Sequence, residues 1–470
     1  MCKEVSEEVK YVEGLMALAH KAQEQIQYFS QEQVDELIRA IAWSVCKPGM
    51  PEKLATMAVD ESGMGSIPEK VKKFTGKVPG VLYELLSQKS VGIIERDSEK
   101  KIAKVAKPVG VVAGLIPSTQ PEMTPVVKAM FAIKARNAIV FSPHPYTKGT
   151  TNTVVNCMRD ALKKHGAPED LILCVENPTM EISNEVMRQA DLVVATGAAG
   201  MVKAAYSSGT PAWGVGVGND VAIIDETADI EDAAKKIFIS KSFDNASGCS
   251  CENSLIIHES IYDKFLAAFK AQGAYMCTPE EKERLQKVMW PDWPVNKLSM
   301  KIVTKPCKEI AALANLPVAD SCNVIMVEET GAGRDYAFSG EKLSLVITIY
   351  KYSGDISNAI TVMNKIQSYM GAGHSCAIHS FNEHNIEEVA LRCKTARVMV
   401  RQGTNTGNSG YWGNGMPRTV IIGCGTWGGN AASENVVLKH FMNTTWVSEP
   451  FDSFTIPTYE EIFGKDIMND

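Results

Sequence analysis

GVVAGLIPSTQPEMTPVVKAMFAIKARNAIVFS, residues 110–142, holds two short apolar runs, GVVAGLI and NAIVFS, on either side of PVVKAMFAIKA, which has helical spacing. A strand, a helix and a second strand in so little chain predict a parallel pair with the helix as its crossover. Further along come a helix ending near His165, LILCV, a helix over 179–189, LVVAT, another helix and VAIID. Such alternation argues for a parallel sheet covered on both faces. After Lys241 it resumes with SLIIH, IYDKFLAAFKAQ, KLSLVITIYKY, ISNAITVMNKI, SCAIHS, IEEVALRC and RVMVR. The reading is therefore α/β, with two doubly wound parallel-sheet domains that divide near residue 241.

Outward from that core, VGIIERDSEKKIAKVAKP (91–108) alternates around the charged turn DSEKK and predicts a hairpin leaving the domain body. Two helices are expected to open the chain. The first lies in MCKEVSEEVKYVEGLMALAHKAQEQ, and the second starts at Ser30, whose hydroxyl can cap it while Gln33 reaches back. FDSFTIPTYEEIFGKDIMND, the last twenty residues, is expected to dock on another surface.

A chain of 470 residues exceeds one ordinary core. Its composition, 45% hydrophobic and 22% charged with net charge −7 and no long basic run, lacks the electrostatic footprint of a nucleic-acid binder. Small-molecule chemistry is expected instead. No signal-peptide centre stands near the N-terminus, and the apolar run at 109–117 falls short of a membrane span, so no membrane partner and a cytoplasmic location are expected. Twelve cysteines without pairing intervals are expected to be reduced and mostly buried.

Three motifs can be read from their residues alone. No G-x-G-x-x-G joins a strand to a helix, and GVGVGN (214–219) precedes a strand, so the turn able to cradle a dinucleotide is LIPSTQPEM, 115–123. His374, His379 and His384 do not read as a metal site, because a five-residue separation in a strand puts side chains on opposite faces. SFDNASGCSCENS (242–254) has a C-x-C pair that matches neither thioredoxin-like nor zinc spacings. Its cysteines are either inert buried thiols or include a nucleophile, which a helix N-terminus would activate and small Ala246, Ser247 and Gly248 would expose.

KPVGVVAGLIPSTQP, RNAIVFSPHP, ATGAAGMVKAAYSSGTPAWGVGVGN, SFDNASGCSCENS, GEKLSLV, GAGHSCAIHS and GCGTWGGNAASEN together resemble the aldehyde dehydrogenases, in their CoA-dependent acylating branch, from about Lys107 to Trp446. That branch includes the aldehyde half of bifunctional aldehyde-alcohol dehydrogenases, and only this half is expected here. The resemblance implies a nicotinamide cofactor domain over 1–241, a catalytic domain over 242–425, and a return segment with an oligomerisation tail over 426–470. It makes Cys249 the nucleophile, with Asn245 in the same motif, and Cys251 a bystander. Thr119 matches the oxyanion contact of hydrolytic relatives. The cofactor, NAD or NADP, is expected at Ile116, Pro117, Ser118 and Thr119, at Thr196, Gly197 and Gly200, at Gly216, and at Glu341 on the nicotinamide ribose. His144 and Lys148 could face the adenosine ribose. Relatives usually show Thr-Thr-Asn-Pro where this chain has Ser118-Thr119-Gln120-Pro121, a departure that bears on the oxyanion contacts.

Hydrolytic members carry a glutamate in the segment E-L-G-G-K that activates water against the enzyme thioester; the matching segment here is GVGVGN, with no carboxylate. A free thiol ionises near pH 8.5, so CoA can release the acyl group where unassisted water cannot. Glu252 is expected not to replace the missing base. The small-molecule partners are then an aldehyde and CoA, and His374 matches a histidine of the acylating branch, with CoA handling and a structural hydrogen bond both open. Arg401 and Arg418, in the loop 398–418, suit an anionic group. They favour an anionic aldehyde, and this loop together with SFDNASGCSCENS resembles the acylating members that act on sulfoacetaldehyde, with acetaldehyde and succinate semialdehyde as alternatives. A hydrolytic dehydrogenase or a catalytically silent protein on the same fold are the rivals. The resemblance also implies a homodimer or homotetramer, since the hairpin and tail would otherwise expose strand edges.

Overall fold

The computed structural model describes residues 6–197 and 199–469. Four helices come first: α1 (Glu7–Ile26), α2 (Gln31–Cys46), α3 (Met50–Ser62) and α4 (Ile67–Leu86). The first five residues of the expected opening helix lie outside the described residues. α2 starts as its sequence dictates: the Ser30 hydroxyl accepts from the Gln33 N–H, and the Gln33 side chain accepts from the Ser30 N–H. Two of the four helices go beyond the expectation. Gly49 and Pro51 at the start of α3, and Gly76, Pro79 and Gly80 inside α4, break the sequence signal, although a buried face restores both helices in the fold.

β1 (Gly92–Asp97) and β2 (Ile102–Pro108) form the expected antiparallel hairpin. Then follow β3 (Val111–Ile116), α5 (Thr124–Lys134), β4 (Ala138–Pro143), α6 (Lys148–Lys164), β5 (Ile172–Cys174), α7 (Met180–Gln189), β6 (Leu192–Thr196), α8 (Ala199–Tyr206) and β7 (Ala212–Val215). The five strands make a parallel sheet in the order β5-β4-β3-β6-β7. β3 is buried at every residue, which explains its unbroken apolar run.

The chain then enters a second sheet: β8 (Asp220–Ile224), α9 (Ile230–Ser242), β9 (Glu252–His258), β10 (Ala274–Met276), β11 (Val324–Glu328), β12 (Val346–Tyr352), β13 (Cys376–His379) and β14 (Val398–Val400). All its pairings are parallel, in the order β10-β11-β12-β9-β8-β13-β14, and apolar clusters cover both faces. The division near 241 is thus corrected. VAIID is β8, hydrogen-bonded between β9 and β13, so the sheets part between Val215 and Asp220. An apolar strand does not announce which sheet it will join, and no break in composition marks this crossing. The return also begins before 426, since Ile421 and Ile422 already pack in the first core with Val436, Leu438 and Phe441.

The short crossing sets the carboxyl edge of the first sheet against the amino edge of the second. Strand β15 (Met442–Ser448) returns to pair with β2 and leaves its other edge open, with six of its seven residues exposed. Among the described residues no helix is long and apolar enough to cross a membrane.

Asn137 ties these parts together. Its Oδ1 accepts from the Val109 N–H at 2.8 Å and the Gly110 N–H at 3.2 Å, and its Nδ2 donates to the Phe441 carbonyl at 2.8 Å. Asn137 is fully buried, so Asn137→Ala strands these groups without water. We expect a loss of about 2–4 kcal/mol in urea denaturation, against a few tenths for Asn443→Ala on the exposed strand.

Candidate active site

Cys249 follows a turn of unusual conformation. Asp244, Asn245 and Ala246 have φ of 50°, 50° and 55°, three consecutive non-glycine residues in left-handed space. Each costs on the order of 1 kcal/mol, and the surrounding contacts hold them there. The Asp244 carboxylate accepts from the Ser66 N–H at 2.8 Å, Lys73 Nζ at 2.6 Å and Ser247 Oγ at 2.6 Å, while its own N–H donates to Glu69. Burial pushes this carboxyl up, but Lys73 and Lys70 outweigh burial and keep it below the ordinary carboxylate range. Asn245 Nδ2 donates to the Gly65 carbonyl at 3.1 Å, which makes it a brace for the turn. Lys70 links the turn to the first sheet, lying 3.5 Å from Asp244 and donating to the Thr119 carbonyl at 2.8 Å.

The residues after the turn lead into β9, so no helix N-terminus acts on Cys249; the helix-dipole expectation is corrected. Cys249 is half-buried. Cys251 is fully buried, and burial pushes its thiol up to about 12, consistent with a bystander.

Glycines allow four segments to converge here. A β-carbon on Gly218 would fall 1.7 Å from the Cys249 carbonyl oxygen, and one on Gly373 would fall 1.7 Å from that of Cys424. One on Gly216 would lie 3.1 Å from Cys424 Sγ, and the Gly216 N–H donates to Asn430. GVGVGN, SGC, GAGH and GCGTWGG therefore meet main chain to main chain.

His374 is fully buried, with Nδ1 2.8 Å from the equally buried carboxylate of Asp220. Burial disfavours its imidazolium, yet the Asp220 carboxylate, aided by Cys249, raises its pKa well above the usual value. Among the described residues Nε2 has no ordinary hydrogen-bond partner, and Cys249 is close enough to act on the imidazole. Arg397 fixes the peptide, donating to the carbonyls of His374 at 2.8 Å and Gly423 at 2.7 Å. Sequence reasoning missed Asp220; a carboxylate opening an apolar strand, N-D-V-A-I-I, was its one signal.

Two other carboxylates stand nearby. Burial pushes Glu252 up to about 7, and its two oxygens accept from Ser240 Oγ and the Thr404 N–H, each at 2.7 Å. It is committed to holding the loop after residue 403. Glu341 is half-buried, pushed up to about 8 by burial, and feels the charges of His374 and Asp220.

The expected cofactor residues collect at the carboxyl edge of the first sheet. Ile116 ends β3, followed by Pro117, Ser118 and Thr119; Thr196 ends β6, with Gly197 next and Gly200 in the first turn of α8. β3 and β6 are adjacent strands from which the chain departs in opposite directions, the place where such sheets bind dinucleotides. Thr196 Oγ1 is buried there without a partner among the described residues, and nothing lies within 4 Å of a β-carbon on Gly200. An unused hydroxyl and open space fit a dinucleotide. His144 is half-buried beyond β4, and Lys148 Nζ donates to Asn177 at 2.6 Å.

The two arginines part company. Arg401 donates to the Ser380 carbonyl at 2.7 Å, stacks on Phe381, and neighbours His379 and Lys236, away from Cys249. The expectation that it joins Arg418 in holding an anion is therefore corrected: just past β14, its guanidinium is taken up by the Ser380 carbonyl and the Phe381 ring. Arg418 lies over Trp412 beside α4, 3.7 Å from Glu84.

Residues 3–283 match the aldehyde dehydrogenase family. The chain is 47% identical to a sulfoacetaldehyde dehydrogenase of Acholeplasma, over 95% of this chain and 92% of that one. It is 43% identical to a sulfoacetaldehyde dehydrogenase (acylating) of Bilophila wadsworthia, over 97% and 98%. The crystal structure of an acetylating aldehyde dehydrogenase from Geobacillus thermoglucosidasius superposes with a TM-score of 0.91 at 36% identity, covering 96% of this chain and 98% of that one.

Two substitutions test the site. Gly218→Ala should cost about 3 kcal/mol or more by overpacking against main chain that cannot yield, read as a lowered unfolding midpoint. In Asp220→Asn the largest influence favouring the His374 imidazolium is lost, while burial still disfavours the charged form. The pKa seen in kcat/KM against pH should therefore move to lower pH, with a rate loss of about tenfold or more.

Proposed function

The chain belongs to the aldehyde dehydrogenase family, and on that premise we propose that it is a CoA-acylating enzyme. It oxidises a small anionic aldehyde, sulfoacetaldehyde foremost, to its acyl-CoA with NAD or NADP. The observation that carries the reading is Cys249 beside the Asp220–His374 pair, with Glu252 tied up by Ser240 and Thr404 and no carboxylate in the segment GVGVGN. The sulfoacetaldehyde relatives, one of them acylating, support the substrate.

Cys249 attacks the aldehyde carbon, and the oxyanion that forms takes hydrogen bonds from the Cys249 N–H and from Thr119. The bound nicotinamide supplies the hydride acceptor. Ile116 to Thr119, Thr196, Gly197, Gly200 and Glu341 would hold it. Loss of the hydride leaves an acyl thioester on Cys249. His374, oriented by Asp220 through Nδ1, exchanges a proton at Nε2 with the thiol that enters or leaves. Glu252, bound to Ser240 and Thr404, keeps out of this step, so the thioester persists until the thiol of CoA attacks it. Acyl transfer between two sulfurs conserves the thioester and makes the reaction reversible.

Assembly as a homodimer or homotetramer is part of the same reading. The open edge of β15 and the exposed apolar tail residues Phe454, Ile456 and Tyr459 support it.

Mixing enzyme, aldehyde and NAD(P)+ should give about one equivalent of reduced nicotinamide per site and then stop. Adding CoA should restart reduction and produce thioester in equal amount. Steady formation of free acid without CoA contradicts the proposal. Cys249→Ser should lose both phases.

A further inference from the structure

Helix α4 carries a basic row on one face. Lys70, Lys73 and Lys77 recur at intervals of three and four residues, and such spacing stacks side chains along a helix. Two of the charges are answered: Lys70 and Lys73 lie 3.5 Å and 2.6 Å from Asp244, and Lys70 is 3.7 Å from Glu122. Lys77 is different. Its Nζ donates to the Gly410 carbonyl at 2.9 Å and to the Ser409 hydroxyl, both neutral, and among the described residues no carboxylate pairs with it. Burial, with repulsion from Lys73 and Arg418, pushes it down to about 8.

Arg418 is the next cation along. Its side chain crosses α4 at Gly80, where a β-carbon would come within 3.1 Å of its Cδ, and its Nε is buried without a partner among the described residues. Arg418 has Glu84 at 3.7 Å, so Lys77, held by neutral acceptors beside an arginine with an unused donor, is the cation here that lacks a carboxylate among the described residues.

That shortage adjoins the nucleophile. Lys73 Nζ reaches Ser247 Oγ at 3.4 Å, two residues before Cys249. From the loop that holds Ser409, Asn405 lies 2.7 Å from where a β-carbon on Gly248 would sit, and Asn408 donates to Ser375, the neighbour of His374, at 3.1 Å. One loop thus touches Lys77 on one side and the neighbours of Cys249 and His374 on the other.

We propose that Lys77 and Arg418 form an anion subsite that holds the sulfonate or carboxylate of the aldehyde substrate while its carbonyl carbon meets Cys249. The inference rests on the acylating reading above and deepens it, naming residues that select an anionic aldehyde.

The probe is ethanesulfonate, with propionate run beside it to separate sulfonate from carboxylate. Ethanesulfonate should raise the unfolding midpoint of the wild type and compete with acetaldehyde. Lys77→Met should lose that stabilisation. The ratio of kcat/KM for sulfoacetaldehyde to that for acetaldehyde should fall about ten- to hundredfold, the worth of one hydrogen bond to a charged group. Succinate semialdehyde replaces sulfoacetaldehyde in this ratio if propionate is the better ligand. Arg418→Gln should move both readouts the same way and carries the test if Lys77→Met does not fold. A wild type indifferent to both anions overturns the subsite, as does stabilisation that survives Lys77→Met or equal loss on every aldehyde. Failure of the acylating reading shows separately, as absence of thioester from any aldehyde, while the binding measurements still report on the subsite.

Discussion

The carbonyl of Cys249 rests against the α-carbon of Gly218, and the arrangement of the site depends on that contact. Main chain packed on main chain has no rotamers to relax into, so the sulfur is positioned by the two sheets themselves. The same closeness limits what the crossing between the sheets can carry. Side chains at positions 216 and 218 would strike Cys424 and Cys249, so these positions cannot deliver a carboxylate to the thioester. Rigid placement of the thiol and the absence of a carboxylate at positions 216 and 218 share one physical origin.

Charge is organised around this contact in two buried systems. Asp244 gathers Lys73, Lys70, Ser66 and Ser247 and holds three left-handed residues in place. Buried ion pairs contribute little net stability, but a half-broken one is costly, which suits a turn that must keep a single conformation. Asp220 and His374 form the second system, where the carboxylate outweighs the effect of burial on the imidazole. One system holds the turn before Cys249, and the other sets the charge of the imidazole nearby.

Much of this was legible in the sequence. The alternation from Val109 gave away fold class and sheet type, and Ser30 with Gln33 marked a helix start to the residue. Motif glycines carried information that became physical only in three dimensions, where Gly218 and Gly373 proved to be points of contact. What stayed hidden depends on distance along the chain. β8 reads like any apolar strand, and only its partners β9 and β13 reveal which sheet it joins. Asp220 and His374 lie 154 residues apart, so neither points to the other. The arginines show the same limit: the charge of Arg401 was visible, but not the Phe381 ring and Ser380 carbonyl that occupy it. Lys77 stands on a helix the sequence reading did not expect, and only the fold shows that its acceptors are neutral.

Strand β15 has a last implication. It offers unpaired amides along one margin, with Trp446 and Val447 in the open beside them. The outer edge of β1, on the other side of the same three-stranded sheet, is open as well. Any pairing along such open edges is a matter of local concentration, because it joins one chain to another.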